Sequence, residues 1–169
     1  MSRQNAEVVA LDPASTFEAF FEAETDVLFR RLCLVTANRA EAEEIAQDAF
    51  LKVWERWDRV QQMDDRVGYL YRVAMNSFRN RYRRAAIALR KTARPQLRID
   101  EFDAADVRSG VARGLAKLTP RQRAAVVLVD LIGFGSEEAG RMLGIRAGTV
   151  RTLAVQARNV LREELEDEP

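Results

Sequence analysis

Apolar residues recur along most of this chain every three or four positions, the spacing that brings side chains onto one face of a helix. The cleanest run lies between Glu41 and Asp58. There Ala42, Ile45, Ala46, Ala49, Phe50, Val53, Trp54 and Trp57 form one unbroken apolar stripe. Before it, Phe17, Phe20, Phe21, Leu28 and Leu32 keep the same period behind a capping hydroxyl, Ser15 or Thr16, and predict two helical stretches over about 14–37. A loop from Arg59 to about Arg66 ends at Asp64 and Asp65, which can cap a further helix whose core side carries Leu70, Val73, Ala74, Ser77 and Phe78.

After Arg84 the period decays, and Pro95 restricts its neighbourhood to an extended or turning course. It resumes with Val107, Val111, Leu115 and Leu118. Thr119 to Gln122 then reads as a capping box with Pro120 at the first helical position, followed by Val126, Val127, Val129, Leu131 and Ile132 as the buried side. Gly133 and Gly135 end that helix. Ser136 caps a short helix running to Leu143, Gly144 turns the chain, and a last helix buries Val150, Ala154, Ala157, Leu161 and Leu165. Short helix, glycine turn and second helix make a helix-turn-helix.

The predicted fold class is all-α: two small helical domains joined by a flexible linker, the C-terminal one a helix-turn-helix. The expected divisions are a flexible N-terminus at 1–13, a first domain at 14–86, a linker at 87–105 and a second domain at 106–169. Eight Gly and four Pro are too few for a sheet protein of 169 residues, and 47% hydrophobic content suits packed cores.

Charge sharpens this picture. The chain is nearly neutral at +1, yet Arg66 to Arg98 holds ten Arg/Lys and not one Asp or Glu. Wound as a helix, the front of that block aligns Tyr69, Arg72, Asn76, Arg79, Asn80 and Arg83 on one polar stripe. Arg and Asn bond phosphates and base edges, and an aromatic ring in the same row stacks on an unpaired base, so nucleic acid suits this stripe better than a membrane. The plainer alternative is a solvated basic face. Across residues 41–58, six acids against two basic residues leave a local net charge of −4. Leu51 stands on that acidic surface, either as a contact for a protein partner or as a stray exposed leucine.

Other chemistry is excluded by what is missing. The chain has no histidine, and Cys33 is its one cysteine, which removes disulfides, Cys/His zinc sites and histidine-based catalysis. Cys33 reads as a small buried apolar residue. No catalytic residue, metal or cofactor is expected. There is no signal-peptide core and no run near the roughly 18 apolar residues of a membrane span, so the expectation is a cytoplasmic protein without membrane insertion.

Both halves resemble one family, the extracytoplasmic-function (group 4) sigma factors of bacterial RNA polymerase. AEEIAQDAFLKVWERWD at 42–58 is similar to the family helix that docks on the polymerase β′ clamp, GYLYRVAMNSFRNRYRR at 68–84 to the segment that meets the promoter −10 element, and 118–158 to the domain that reads the −35 element. The resemblance assigns Glu44, Gln47, Asp48 and Leu51 to the polymerase contact. It assigns Arg66, Tyr69, Arg72, Asn76, Arg79, Asn80 and Arg83 to −10 DNA, with a flipped-base pocket built by about 59–67. Arg146, Thr149, Arg151 and Thr152 fall to −35 DNA, where Gln156 and Arg158 reach phosphates. The implied partners are core RNA polymerase through its β′ clamp and β flap, promoter DNA and an anti-sigma factor.

The departures from the family pattern are specific. Arg146 stands where a small capping residue is usual, which forfeits about 0.5–2 kcal/mol of helix stability unless another residue caps. Leu153 and Val155 replace the usual basic cluster. They serve an inhibitory partner or a less electrostatic −35 contact, or else they pack against a neighbouring helix. Three rival functions remain to be separated by experiment: a helix-turn-helix regulator that acts without polymerase, an enzyme using neighbouring carboxylates such as Glu43 and Glu44, and an adaptor that binds polymerase without DNA.

Overall fold

The computed structural model describes residues 16–91 and 110–166, and every regular element within them is helical. The expected N-terminal segment 1–13, the linker from 92 onward and the last three residues lie outside the described residues.

The first unit opens with α1 (Phe17–Thr36), capped by Thr16, whose Oγ1 accepts the Ala19 N–H at 3.2 Å. Two helical stretches were expected here, and one continuous helix of 20 residues forms. No Gly or Pro interrupts it, and Phe20, Leu28, Leu32 and Val35 stay in helical register along its buried side. Ala37 turns the chain at φ 53°, and Asn38 caps α2 (Arg39–Trp54) by accepting the Glu41 N–H at 2.9 Å.

The apolar stripe of 41–58 does not remain one helix. Arg56 leaves helical geometry at φ −120°, ψ 19°, and a short α3 (Trp57–Val60) follows. This break folds Trp57 onto Phe17 and Phe20, with ring centroids 5.6 and 5.5 Å apart, and leaves Trp54 outside the cluster at 58% exposure. The basic helix α4 (Arg66–Lys91) starts at Asp65, whose Oδ1 accepts the Gly68 N–H at 2.7 Å. It continues to Lys91, past position 86 where the first domain was expected to end. Leu70, Ala74, Ser77 and Phe78 are buried as expected, together with Tyr71 and Met75.

In the second unit α5 (Gly110–Lys117) leads to α6 (Pro120–Val126), which carries the complete capping box between Thr119 and Gln122. From Val127 to Ile132 the helix widens into a π-helical turn, where Gly133 and Phe134 both donate to the Leu128 carbonyl. That widening rotates the following side chains away from the expected face, and Leu131 is 54% exposed rather than buried. A short helix, α7 (Ser136–Leu143), is preceded by Gly135 at its cap position, so Ser136 does not cap it as expected. The turn into α8 (Ala147–Glu166) needs two glycines. Gly144 has φ 68°, and a Cβ on Gly140 would lie 2.7 Å from the Ile145 carbonyl oxygen. Val150, Ala154 and Ala157 are buried, whereas Leu165 at the end of the expected core stripe is exposed.

The two units pack on each other, α6 on α1 and α7 on α4, and their buried apolar residues form one cluster. Fully buried side chains such as Leu28 and Ile45 each contribute about 2–5 kcal/mol by the usual cost of truncation to alanine.

Candidate nucleic-acid and protein interfaces

The acidic face of α2 presents Glu44, Gln47, Asp48 and Leu51 at spacings of three and four, so all four share one surface. Leu51 is 54% exposed, and Trp54, one turn further, widens the apolar centre of this surface. The face is not bare charge. Arg81 of α4 reaches across to Glu44 at 2.5 Å and to Asp48 at 3.5 Å, with all three side chains partly solvated. Arg81, four positions after Ser77 and seven after Ala74 on the side of α4 away from the basic stripe, thus neutralises part of the acidic surface of α2. Nearby, burial pushes the Glu41 carboxyl above its usual range, with Arg81 opposing the shift and Glu44 reinforcing it.

On α4, the stripe Tyr69, Arg72, Asn76, Arg79, Asn80 and Arg83 is exposed or half-buried along one side, with Arg66 in the first turn. Tyr69 is flanked by two arginines: Arg56 donates to its hydroxyl at 3.4 Å, and the Arg72 guanidinium lies 5.9 Å from its ring centre. Arg79 donates to the Asn76 side-chain oxygen at 2.9 Å, which fixes both groups in the row. Between α1 and the loop before α4 opens a cleft of about 470 Å³, lined by Phe20, Glu24, Asp64, Asp65 and Arg66.

The expected −35 residues are divided by the phase of α8. At about 100° per residue, Thr149 and Gln156 lie on one edge of the exposed arc and Arg151 and Arg158 on the opposite edge, with Thr152 and Val155 between them. Arg146 immediately precedes the helix. Three of these residues already have partners within the chain. Thr152 donates its hydroxyl to the Gly148 carbonyl at 3.1 Å. Gln156 accepts from the Gln122 amide at 3.2 Å, and Arg158 donates to the Ala154 carbonyl at 3.2 Å and lies 3.6 Å from Asp130. The two apolar departures also separate: Leu153 packs partly buried against the core, and Val155 is 50% exposed.

Outside the expected set, Trp54 and Tyr82 lie on or beside these surfaces, and Arg123 is buried between the two units. Trp54 was placed in the core by its period. Tyr82 stacks on Phe78 with centroids 6.3 Å apart, and the Arg121 guanidinium lies 5.8 Å from its ring centre. Arg123 is 3% exposed and donates to four backbone carbonyls. Its sequence signal was a charge three and four positions before Val126 and Val127, inside an apolar stripe. Burial lowers its pKa, with Glu41 opposing the shift. Among the described residues no group of His, Cys, Asp or Glu is placed to hold a metal ion, and no helix is long and apolar enough to cross a membrane.

An all-helical chain with a basic, Asn-bearing helix in one unit and a helix-turn-helix in the other defines a DNA-binding transcription protein. Family models agree: sigma-70 region 2 matches residues 20–87, and sigma-70 region 4 matches residues 110–161. The ECF RNA polymerase sigma factor SigM of Mycobacterium tuberculosis is 30% identical over 166 residues, spanning 92% of this chain and 82% of that one. The RNA polymerase sigma-E factor of Streptomyces avermitilis is 28% identical over 152 residues, 89% of this chain and 85% of its own. The chain belongs to the extracytoplasmic-function family of RNA polymerase sigma factors.

Among solved structures, the fold is similar to the sigma factor RpoE in complex with the anti-sigma factor NepR from Bartonella quintana. That match has TM-score 0.67 and 22% identity, and covers 90% of this chain and 98% of that one. It is also similar to CnrH in complex with the cytosolic domain of CnrY, at TM-score 0.57 and 21% identity over 90% and 89% of the two chains. Sigma factors act by binding rather than by catalysis.

Proposed function

We propose that this sigma factor divides its work between the two charged surfaces of its first unit and the helix-turn-helix of its second. The α2 face of Glu44, Gln47, Asp48 and Leu51 docks on core RNA polymerase, where a negative surface meeting a positive one speeds encounter. Arg66, Tyr69, Arg72, Asn76, Arg79, Asn80 and Arg83 of α4 hold the non-template strand at the −10 element. Opening duplex DNA costs a few kcal/mol per extruded base, and a pocket that receives a flipped base offsets part of it. A cleft of about 470 Å³ beside Asp64 and Arg66, next to the start of α4, supports this reading.

On α8, Arg146, Thr149, Arg151 and Thr152 face the −35 element, with Gln156 and Arg158 toward phosphates. The division of labour follows a first domain at 14–86, whose last helix extends to Lys91, and a second domain at 106–169. The protein works in the cytoplasm, without catalytic activity of its own. Its partners are core polymerase, promoter DNA and an anti-sigma factor; the similar RpoE and CnrH were solved with a partner bound.

The observation that carries this reading is the pairing, on two helices packed together, of an acidic face with an exposed Leu51 on α2 and a basic, Asn-bearing stripe on α4. The test is reconstitution with core polymerase and linear promoter DNA. Specific initiation without any other sigma factor is expected, and the pair Asn80→Ala and Arg83→Ala impairs promoter opening while core binding is kept. Duplex binding with no association to core would replace this reading with that of a polymerase-independent regulator.

A further inference from the structure

Three arginines from distant stretches of the chain converge on one cleft of about 270 Å³. Arg79 and Arg83 enter it from α4 and Arg121 from the first turn of α6, beside the turn that leads into α8. No carboxylate lines the cleft, and among the described residues none of the three arginines is in an ion pair. Like charges gathered without a counter-charge repel one another, and an entering anion turns that repulsion into attraction. Arg79 is held in place there. Its guanidinium donates to the Asn76 side-chain oxygen at 2.9 Å and fills the space beside Gly144 that a Cβ would take.

The remaining wall is aromatic and aliphatic. Phe78 and Tyr82 stack with centroids 6.3 Å apart, and Leu143 and Ile145 extend the apolar lining. The Arg121 guanidinium lies 5.8 Å from the Tyr82 ring centre, so a flat ring and a cation stand side by side. A bare inorganic anion leaves the apolar wall unused, and an apolar ligand leaves three charges unmatched. A nucleotide uses both, because its base stacks on an aromatic ring while its phosphates take paired hydrogen bonds from guanidiniums. The volume falls near the lower end of the roughly 300–1,000 Å³ usual for small-molecule sites, which suits one nucleotide rather than an oligonucleotide.

We propose that this cleft binds a nucleoside diphosphate, with the base against Tyr82 and the two phosphates on Arg79, Arg83 and Arg121. A diphosphate brings about as much negative charge as the three guanidiniums neutralise. Arg121 belongs to neither set of DNA-binding residues, so the site is separable from promoter recognition. Arg79 and Arg83 belong to both, and on the reading of α4 as the −10 helix a bound nucleotide withholds them from DNA.

Equilibrium dialysis of the full chain against ADP, GDP and UDP tests the site, with inorganic pyrophosphate and the free nucleosides as separate arms. At least one diphosphate binds with Kd of the order of 10 μM, and pyrophosphate and the matching nucleoside each bind at least about tenfold more weakly. Arg121→Gln, at an exposed position, weakens the nucleotide by about tenfold or more. Tyr82→Leu weakens it about five- to tenfold and leaves pyrophosphate unchanged.

No binding of any diphosphate at about 1 mM overturns the proposal. Pyrophosphate binding as tightly as every nucleotide overturns it too, by reducing the cleft to a simple anion site, and so does an affinity that Arg121→Gln leaves intact. A single-stranded oligodeoxynucleotide added to the loaded chain displaces the nucleotide, since both need Arg79 and Arg83. This last arm rests on the sigma reading: a nucleotide bound through Arg121 and Tyr82 that DNA does not displace upholds the site and overturns the −10 assignment of Arg79 and Arg83.

Discussion

Replacing Arg81 by Met separates the structural from the docking duty of the α2 acids. Arg81 bridges α4 to Glu44 and Asp48 of α2. Its side chain is 34% exposed, and those of Glu44 and Asp48 are 58% and 48% exposed. At that exposure solvent screens most of the Coulomb energy, and an ion pair of this kind contributes about 0.2–1 kcal/mol. Met retains much of the apolar stem that Arg lays across the helix pair. The expected loss is therefore about 1 kcal/mol, or a fall of about 2–4 °C in the midpoint of thermal unfolding for a protein of this size.

Function should move the other way. With the internal cation gone, both carboxylates are released to the polymerase surface, and association with core becomes faster, most of all at low salt, since rim charges act chiefly on the association rate. Stopped-flow binding of labelled chain to core at two salt concentrations, with calorimetry alongside, measures both effects. An unchanged association rate would show that Glu44 and Asp48 do not face polymerase. A slower one would make Arg81 itself the contact.

Three further outcomes follow from the same geometry. Trp54→Ala leaves thermal stability within about 0.5 kcal/mol, as surface substitutions do, but weakens core binding by about 2 kcal/mol if the exposed indole anchors the docking face, measurable by fluorescence anisotropy. Val155→Arg strengthens binding to −35 duplex and steepens the dependence of log affinity on log salt by about 0.9 for one added phosphate contact; Leu153→Arg instead lowers stability, because Leu153 is packed.

Tyr71 is buried, which raises its phenol pKa against the opposing hydrogen bond from Arg31. Since the folded value lies above the unfolded one, its contribution to stability is complete below the ordinary phenol range near 10 and is lost as pH rises through the folded value. Tyrosinate absorbance should show one of the three tyrosines titrating late, and Tyr71→Phe should remove that phase and flatten the alkaline loss of stability.

Much of the fold was legible before any coordinates, and the reason is local. The Thr16 cap, the Thr119 capping box, the Asp65 cap and the Gly144 turn each depend on residues within four or five positions. The faces of α2 and α4 follow from helical phase alone, and the candidate docking and −10 residues do line up on them. The misses come where phase is interrupted or shared. The non-helical Arg56 swung Trp57 onto Phe17 and Phe20 while Trp54, the last residue of α2, stayed exposed, and the π-helical turn left Leu131 in solvent. Neither deviation leaves a mark in the spacing of apolar residues, because each is a local change in backbone geometry, one residue at Arg56 and one turn at Val127–Ile132.

The amino-acid sequence by itself determined the helices, their buried sides, the helix-turn-helix and the division of charge between an acidic and a basic surface. Each of these is set by neighbours along one helix. Only the tertiary structure decided that Arg81 meets Glu44 and Asp48, and that Arg123 joins the C-terminus of α1 to the second unit. Those outcomes depend on which group comes to lie opposite across a packed interface, 37 positions away for Arg81 and Glu44 and 88 for Arg123 and Val35, and no period within one helix encodes that distance.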